Sequence, residues 1–189
     1  MELLRLILFL GLVFHKVVWE VMKKRERLEV HPQHFKMSFK SLVKLIKVIV
    51  LAFLVFQTLF LDLFPISGRP IGLKVLGTTI YFVGLAMAVM ARLQLGKNWV
   101  NIEDCQVLSG QSLITNGIYQ YIRHPIYTGD ILLLVGLELA LNSWLVLAIS
   151  IPLLVVIRQT LAEEALLSKM FPDYNAYCRR TKRFIPFIV

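Results

Sequence analysis

Cysteine and acidic residues are scarce in this chain. Its 189 residues hold two cysteines, Cys105 and Cys178, and 12 Asp and Glu against 21 Lys and Arg. Neither cysteine lies in a C-x-x-C, so no disulfide framework and no zinc knuckle is read. Charged residues make up 17%, below the roughly 25% of a soluble globular domain. With a mean hydropathy of +0.69, this argues against a soluble enzyme. The 57% of hydrophobic residues excludes a disordered or collagenous chain. No G-x-G-x-x-G, Walker A loop, G-x-S-x-G elbow or H-E-x-x-H is present, so a soluble dinucleotide fold, a P-loop enzyme, an α/β-hydrolase and a zincin are set aside. The pair His31 and His34 flanks Pro32, which spoils helical spacing of metal ligands. No metal partner is expected. The net charge of +9 invites a nucleic-acid reading, but in so apolar a chain the positive-inside rule accounts for it, and no nucleic-acid partner is expected.

What is present is a series of long apolar runs. They predict spans at 3–22, 47–64, 71–93, 125–141 and 144–159, each close to what a ~30 Å hydrocarbon core requires of a helix. The first carries His15 and Lys16 as awkward polar groups. It lacks a small-residue cleavage site, so removal as a signal peptide is not expected. The last two spans are separated by Asn142-Ser143 alone, which predicts a tight antiparallel hairpin. Pro152 is placed to kink the fifth span. The expected fold is all-α: an integral membrane bundle of about five transmembrane helices with a C-terminal cytoplasmic helical segment. It forms one structural domain over 1–189. Residues 1–93 carry the first three spans. Residues 94–189 carry a cytoplasmic loop, the hairpin and the tail, and are expected to be the catalytic, cofactor-binding half.

Basic residues orient the bundle. Eight lie in 23–47, three in 92–125 and six from Arg158 onward. The other side has only Arg5, Arg69 and Lys74. The N-terminus is therefore expected outside and the C-terminus in the cytoplasm. Lys36, Lys40, Lys44 and Lys47 recur at helical spacing opposite Phe35, Phe39, Leu42 and Ile46. This reads as a basic interfacial helix at about 33–47 resting on anionic membrane lipid and running into the second span without a break.

The chemistry-bearing residues lie at the cytoplasmic ends. In the run Gly117-Ile118-Tyr119-Gln120-Tyr121-Ile122-Arg123-His124-Pro125-Ile126-Tyr127, Pro125 suits the first position of a helix and biases His124 toward extended backbone. Arg123 and His124 then sit beside a helix N-terminus, whose unpaired N–H groups attract an anion. Tyr119, Tyr121 and Tyr127 offer aromatic faces to an adenine ring or a sulfonium. Farther on, Arg158 precedes the adjacent pair Glu163 and Glu164 at the end of a span, where carboxylates need water or a partner. One Glu can face a pocket while its neighbour meets a basic partner. Tyr174 and Tyr177 are three residues apart and share a helical face. The basic run Arg179 to Arg183 is available to lipid headgroups or to the acidic pair.

The ordered set Gly117-x-Tyr119-x3-Arg123-His124-Pro125-x-Tyr127-x-Gly129, then Arg158, Glu163-Glu164, Phe171-x2-Tyr174-x2-Tyr177 and Arg183-x2-Pro186 resembles the isoprenylcysteine carboxyl methyltransferase family. Phospholipid methyltransferases share much of the pattern. The likeness covers about 94–189. It implies a membrane enzyme using S-adenosyl-L-methionine in a cytoplasmic pocket. His124 and Pro125 would hold the methionine part, with Tyr119 and the stretch from Leu113 to Gly117 nearby. Arg123, Tyr127, Tyr174 and Tyr177, together with Glu163 and Glu164, one of which would bind the cofactor's amino or ribose groups, complete the expected cofactor site. Glu163 and Glu164 match the family's acidic pair and Arg158 its preceding arginine; these three are the expected catalytic residues, Arg158 as a fork for a carboxylate. The implied acceptor is lipophilic. A prenylated cysteine carboxylate leads, and a phospholipid amine or another lipophilic group remains open. Eukaryotic members have extra N-terminal spans, and Pro172 stands where a glycine is common. Two other classes compete. Steroid-type NADPH-dependent membrane reductases carry a similar Arg-His-Pro run, but place Glu where this chain has Asp130 and lack the Glu-Glu and Tyr-x2-Tyr ending. The other is a lipid-binding membrane protein without enzymatic activity.

Overall fold

The computed structural model describes residues 2–27, 37–99 and 112–186. His31, His34, Lys36 and Cys105 lie outside them. The described residues are helical and include no β-strand. In chain order they form α1 (Glu2–Arg27), α2 (Met37–Phe60), α3 (Ile71–Leu95), a 3-10 turn (Gly96–Asn98), a second (Gly117–Gln120), α4 (Pro125–Ala140), a third (Trp144–Ile149), α5 (Ser150–Met170) and α6 (Tyr174–Arg180).

The main packing is α3 against α4, and glycine makes it possible. Gly77 and Gly84 on α3, and Gly129 and Gly136 on α4, each stand seven residues apart and face the other helix's backbone. A Cβ at Gly77 would lie 2.2 Å from Ala140 N, and one at Gly136 2.2 Å from Tyr81 N. Small residues that let backbones touch are the usual solution where apolar helices pack without water to drive them together. Around this seam lies a core of Leu8, Leu12, Tyr81, Leu85, Leu133, Leu137, Ala140 and Leu141. The buried Tyr81 hydroxyl donates to Leu8 O at 2.7 Å, fixing α1 on α3. Tyr81→Phe is expected to lower stability by about 1 kcal/mol, read as an earlier denaturation midpoint in detergent. An unchanged midpoint would show that this tie contributes nothing.

Several charged residues inside the apolar runs are paired. Arg5 binds carbonyls at the end of α2, donating to Gln57, Thr58 and Leu61 at 2.9–3.2 Å and pairing with Asp62. A cation at a helix C-terminus is favourable for the same reason. Lys16 pairs with Glu20 one turn on at 2.8 Å. His15 reaches Asp130 on α4. Gln57 Nε2 donates to Glu138 Oε2 at 2.8 Å in the interior.

The α4–α5 turn is at Asn142-Ser143 as expected. Asn142 takes a left-handed φ of 58°, tolerable for asparagine, and its side-chain amide clasps the loop after α2 through Ser67 N (3.0 Å) and Ser67 O (2.8 Å). Beyond the turn the expectation changes. Residues 144–149 form a 3-10 turn, so Pro152 falls in the first turn of α5, where proline is tolerated, and produces no mid-span kink. The helix also continues to Met170, past the expected end at Gln159. Residues 160–170 are mostly good helix formers. Glu163 and Glu164 thus lie within the last turns of a long helix, beyond its apolar part. Likewise α2 stops at Phe60, short of the expected 64. Its start at Met37 agrees with an unbroken run from the basic stretch into the apolar one.

Among the described residues, two helical stretches are long and apolar enough to cross a membrane by length and composition, Ile71–Asn98 and Trp144–Met170; Leu45–Phe60 is a shorter apolar helix. Five spans were expected. α1 carries Arg5, His15, Lys16 and Glu20 in its run, and α4, with 16 residues, reaches about 24 Å.

Candidate active site

The N-terminus of α4, the last turns of α5 and the chain after α6 converge at one end of the bundle. Pro125 opens α4 as its first residue, and His124 caps it with φ −123° and ψ 54°. The tail runs back alongside this entry as a parallel partner. Lys182 N donates to Tyr121 O (3.1 Å), Arg123 N to Lys182 O (2.8 Å) and His124 N to Arg183 O (3.1 Å). Thr128 Oγ1 donates to Phe184 O at 3.2 Å. Backbone hydrogen bonds therefore fix the register in which three basic side chains meet one carboxylate.

That carboxylate is Glu164. Arg123 Nε donates to its Oε1 at 2.9 Å, and Arg183 donates to both oxygens, at 3.1 and 2.6 Å. His124 Nε2 lies 3.2 Å from Oε1. Arg123 also donates to the carbonyls of Cys178 (3.2 Å) and Thr181 (2.6 Å), closing the end of α6. Burial raises the Glu164 pKa, but hydrogen bonds from His124, Arg183 and Arg123 outweigh it and hold the carboxyl well below the usual carboxylate range. Glu164 is therefore a permanent anion.

Glu163 differs. Its side chain is 40% exposed. It accepts from the Tyr127 hydroxyl at 3.3 Å, and His124 Nδ1 lies 3.9 Å from its Oε2. The His124 ring, stacked at 5.7 Å on Tyr127 and tilted at 6.0 Å to Phe184, thus stands between the two carboxylates. One glutamate holds the frame and the other faces the opening.

The remaining expected residues take other places. Tyr119, Tyr174 and Tyr177 are buried and form the wall behind the cluster. Tyr177 donates to Tyr119 O at 2.7 Å, Tyr119 to Ala91 O at 3.3 Å. Burial raises all three phenols, so they act as neutral groups, and Tyr127 is the member whose ring stays partly open. Gly117 takes φ +59°, and a Cβ there would lie 2.4 Å from Gln94 Oε1. Its part is to let the turn close on Gln94, which accepts from Ile118 N at 2.9 Å. Leu113 is half-buried and outside the cluster. Arg158 is exposed on α5 and is not drawn into the cluster. Arg183 was not among the expected site residues, but the basic run it closes was expected to be available to the acidic pair, and Arg183 is the member that reaches Glu164. Among the described residues no group of three or more His, Cys, Asp or Glu is arranged to hold a metal ion.

Residues 73–174 match the phospholipid methyltransferase family profile. The chain belongs to this family. The matched stretch starts in α3 and ends at Tyr174, and so contains the α4 entry and the Glu163–Glu164 pair. Among curated relatives, the nickel-cobalt-cadmium resistance protein NccN of Alcaligenes xylosoxydans xylosoxydans is 34% identical over 116 residues, 57% of this chain and 49% of the relative. The protein-S-isoprenylcysteine O-methyltransferase of Schizosaccharomyces pombe is 30% identical over 109 residues, 56% and 46% of the two chains. The chain spans about half the length of the curated relatives it matches. Among solved structures, that of the eukaryotic intramembrane Ras methyltransferase ICMT aligns with a TM-score of 0.55 at 23% identity, covering 82% of this chain and 55% of that one. At this identity the likeness is one of fold.

Proposed function

We propose that this phospholipid methyltransferase family member is an integral membrane methyltransferase that uses S-adenosyl-L-methionine and acts on a lipophilic acceptor, the carboxylate of a C-terminal isoprenylcysteine. The observation that carries the reading is the division of labour within the acidic pair. Glu164 is consumed by Arg123, His124 and Arg183, and Glu163 is left half-open beside Tyr127 and His124.

The donor set suits the proposed cofactor. An ammonium group is met by Glu163. A carboxylate is met by His124 and by the positive end of the α4 dipole at Pro125. A sulfonium is met by the partly open face of Tyr127. S-adenosyl-L-methionine, when bound, supplies an activated methyl group on a good leaving group. The acceptor carboxylate is already ionised at neutral pH, so no side chain has to remove a proton. The chain's task is to hold two partners in line, the largest effect available without covalent catalysis, and to keep water out. The buried tyrosine wall and the paired tail serve the second purpose. Arg158, exposed on the same helix as Glu163, is the candidate cation that draws in an anionic acceptor approaching from the membrane surface.

The reading also carries the membrane arrangement: about five spans, the N-terminus outside, and 94–189 as the cofactor-binding half on the cytoplasmic side. A phospholipid amine is the alternative acceptor and is favoured by the family's own description. Transfer of labelled methyl from S-adenosyl-L-methionine by the detergent-purified full chain tests the acceptor. Label is expected in an alkali-labile methyl ester of a farnesylated N-acetylcysteine. Label found only in the amine headgroup of phosphatidylethanolamine would replace the carboxylate reading.

A further inference from the structure

His15 lies in the apolar run of α1, with its Nε2 2.9 Å from Asp130 Oδ1 on α4. An ionised carboxylate only accepts, so Nε2 carries the proton. The imidazole stacks on Trp19 one turn along α1, the ring centroids 4.0 Å apart and the planes at 22°, which holds it in one orientation. Its other nitrogen, Nδ1, has no partner among the described residues. The two side chains are 23% and 36% exposed, so the pair is reachable. An ionisable pair in an apolar span is costly. Tying α1 to the bundle does not require it, because Leu8, Leu12 and the Tyr81 hydroxyl already do so.

The pair's location suggests what it does. His124 caps α4, Tyr127 follows three residues on and Asp130 three beyond that, so Tyr127 neighbours each of the other two on the helix surface. The first two border Glu163 and Glu164. Asp130 lies one step farther into the bundle, about 4.5 Å along the helix axis from Tyr127. Trp19 packs against the cluster of Ala91, Tyr119 and Ile126, the same Tyr119 that backs the site. His15 and Asp130 therefore stand beside the candidate active site, one turn farther along α4. The reactive head of an acceptor comes to rest there if its lipid tail lies among the helices.

We propose that His15, held by Asp130, positions the methyl acceptor. Nδ1–H donates to one oxygen of the acceptor carboxylate, and the other oxygen attacks. A C–O bond forms to the methyl carbon, the C–S bond breaks with its electron pair staying on sulfur, and no proton moves. Because Nε2–H already donates to Asp130, the ring takes up one proton from solvent as the acceptor carboxylate binds, and Asp130 is its counter-ion. His15 is a positioning residue for the acceptor, set apart from the groups assigned to the cofactor. This assignment rests on the carboxylate reading above.

The test uses the full chain in detergent, labelled S-adenosyl-L-methionine and farnesylated N-acetylcysteine. His15→Ala and Asp130→Asn are each expected to raise the acceptor KM about tenfold, the effect of losing one charge-assisted hydrogen bond. S-adenosylhomocysteine affinity and kcat should change less than about twofold. His15→Gln, which keeps an N–H donor, should recover part of the loss. Active variants with unchanged acceptor KM would overturn the assignment and leave the carboxylate reading standing. A fall in kcat at unchanged KM would overturn it in favour of proton transfer. Joint loss of S-adenosylhomocysteine binding would overturn it in favour of a structural tie. Wild type that binds S-adenosylhomocysteine yet transfers no methyl to this acceptor would sink both the acceptor reading and this assignment.

Discussion

Replacing Glu164 with glutamine is expected to abolish measurable S-adenosylhomocysteine binding and to lower stability by about 3 kcal/mol. The carboxylate is largely buried, and three basic side chains converge on it. Removing its charge leaves Arg123 and Arg183 partly buried without their anion, and that uncompensated charge outweighs the lost hydrogen bonds. The tail is registered on the α4 entry by the same pairing, so His124 loses its orientation together with residues 181–184. Glu163→Gln provides the contrast. It is expected to weaken S-adenosylhomocysteine binding at least about tenfold, since a hydrogen bond to a charged group is lost, at nearly unchanged stability, because Glu163 is half-exposed. Calorimetry and detergent denaturation on the two variants separate frame from pocket. Equal behaviour of both would contradict the assignment. The depressed pKa of Glu164 sets a pH signature as well. Its stabilising contribution is complete above the ordinary carboxyl value of about 4.3 and is lost as pH falls below that toward the folded value. Glu164→Gln should flatten this acid slope.

Gly136→Val is expected to prevent assembly of the bundle, with a loss of more than about 3 kcal/mol. The first added carbon alone would meet Tyr81 N at 2.2 Å and Tyr81 Cα at 2.5 Å. These are backbone atoms that no rotamer change relieves. Gly84→Val should act alike, because its Cβ would lie 2.4 Å from Leu133 N. Gly72, which has open space around it, is the control, and its valine variant should fold. Monodispersity on size-exclusion chromatography and helical circular dichroism measure this. A folded Gly136→Val protein would mean that α3 and α4 do not pack as closely as described.

The contrast between these two sites shows what a single sequence discloses. Local signals were legible. Pro125 marked the start of α4, Asn142-Ser143 marked a turn, and the order of Arg123, His124, Glu163 and Glu164 pointed to one site. The glycines at 77, 84, 129 and 136 repeat at seven residues on the two helices that meet, a signal present in the sequence that periodicity of apolar residues alone does not bring out. Partners far apart in the chain were not legible. His15 and Asp130 are 115 residues apart, and nothing local to either names the other. The basic run 179–183 offered the acidic pair a partner, but not which member; Arg183 is selected because the chain after α6 pairs in parallel with 121–124, and a pairing this short leaves no periodic trace. The end of α5 was misjudged for another reason. Hydropathy falls at Arg158, whereas helix propensity continues to Met170, and the two properties need not stop together. Tyr119, Tyr174 and Tyr177 carry their family pattern, and their burial behind the cluster is a placement that their spacing alone does not disclose.

The measurement that tests the central claim most directly is the binding of S-adenosylhomocysteine and of NADPH to the detergent-purified protein by calorimetry. Saturable S-adenosylhomocysteine binding, weakened in Glu163→Ala and lost in Glu164→Ala, with no heat from NADPH, is the predicted result. NADPH binding in its place would move the site to reductase chemistry. A folded, monodisperse protein that binds neither would contradict the enzymatic reading altogether.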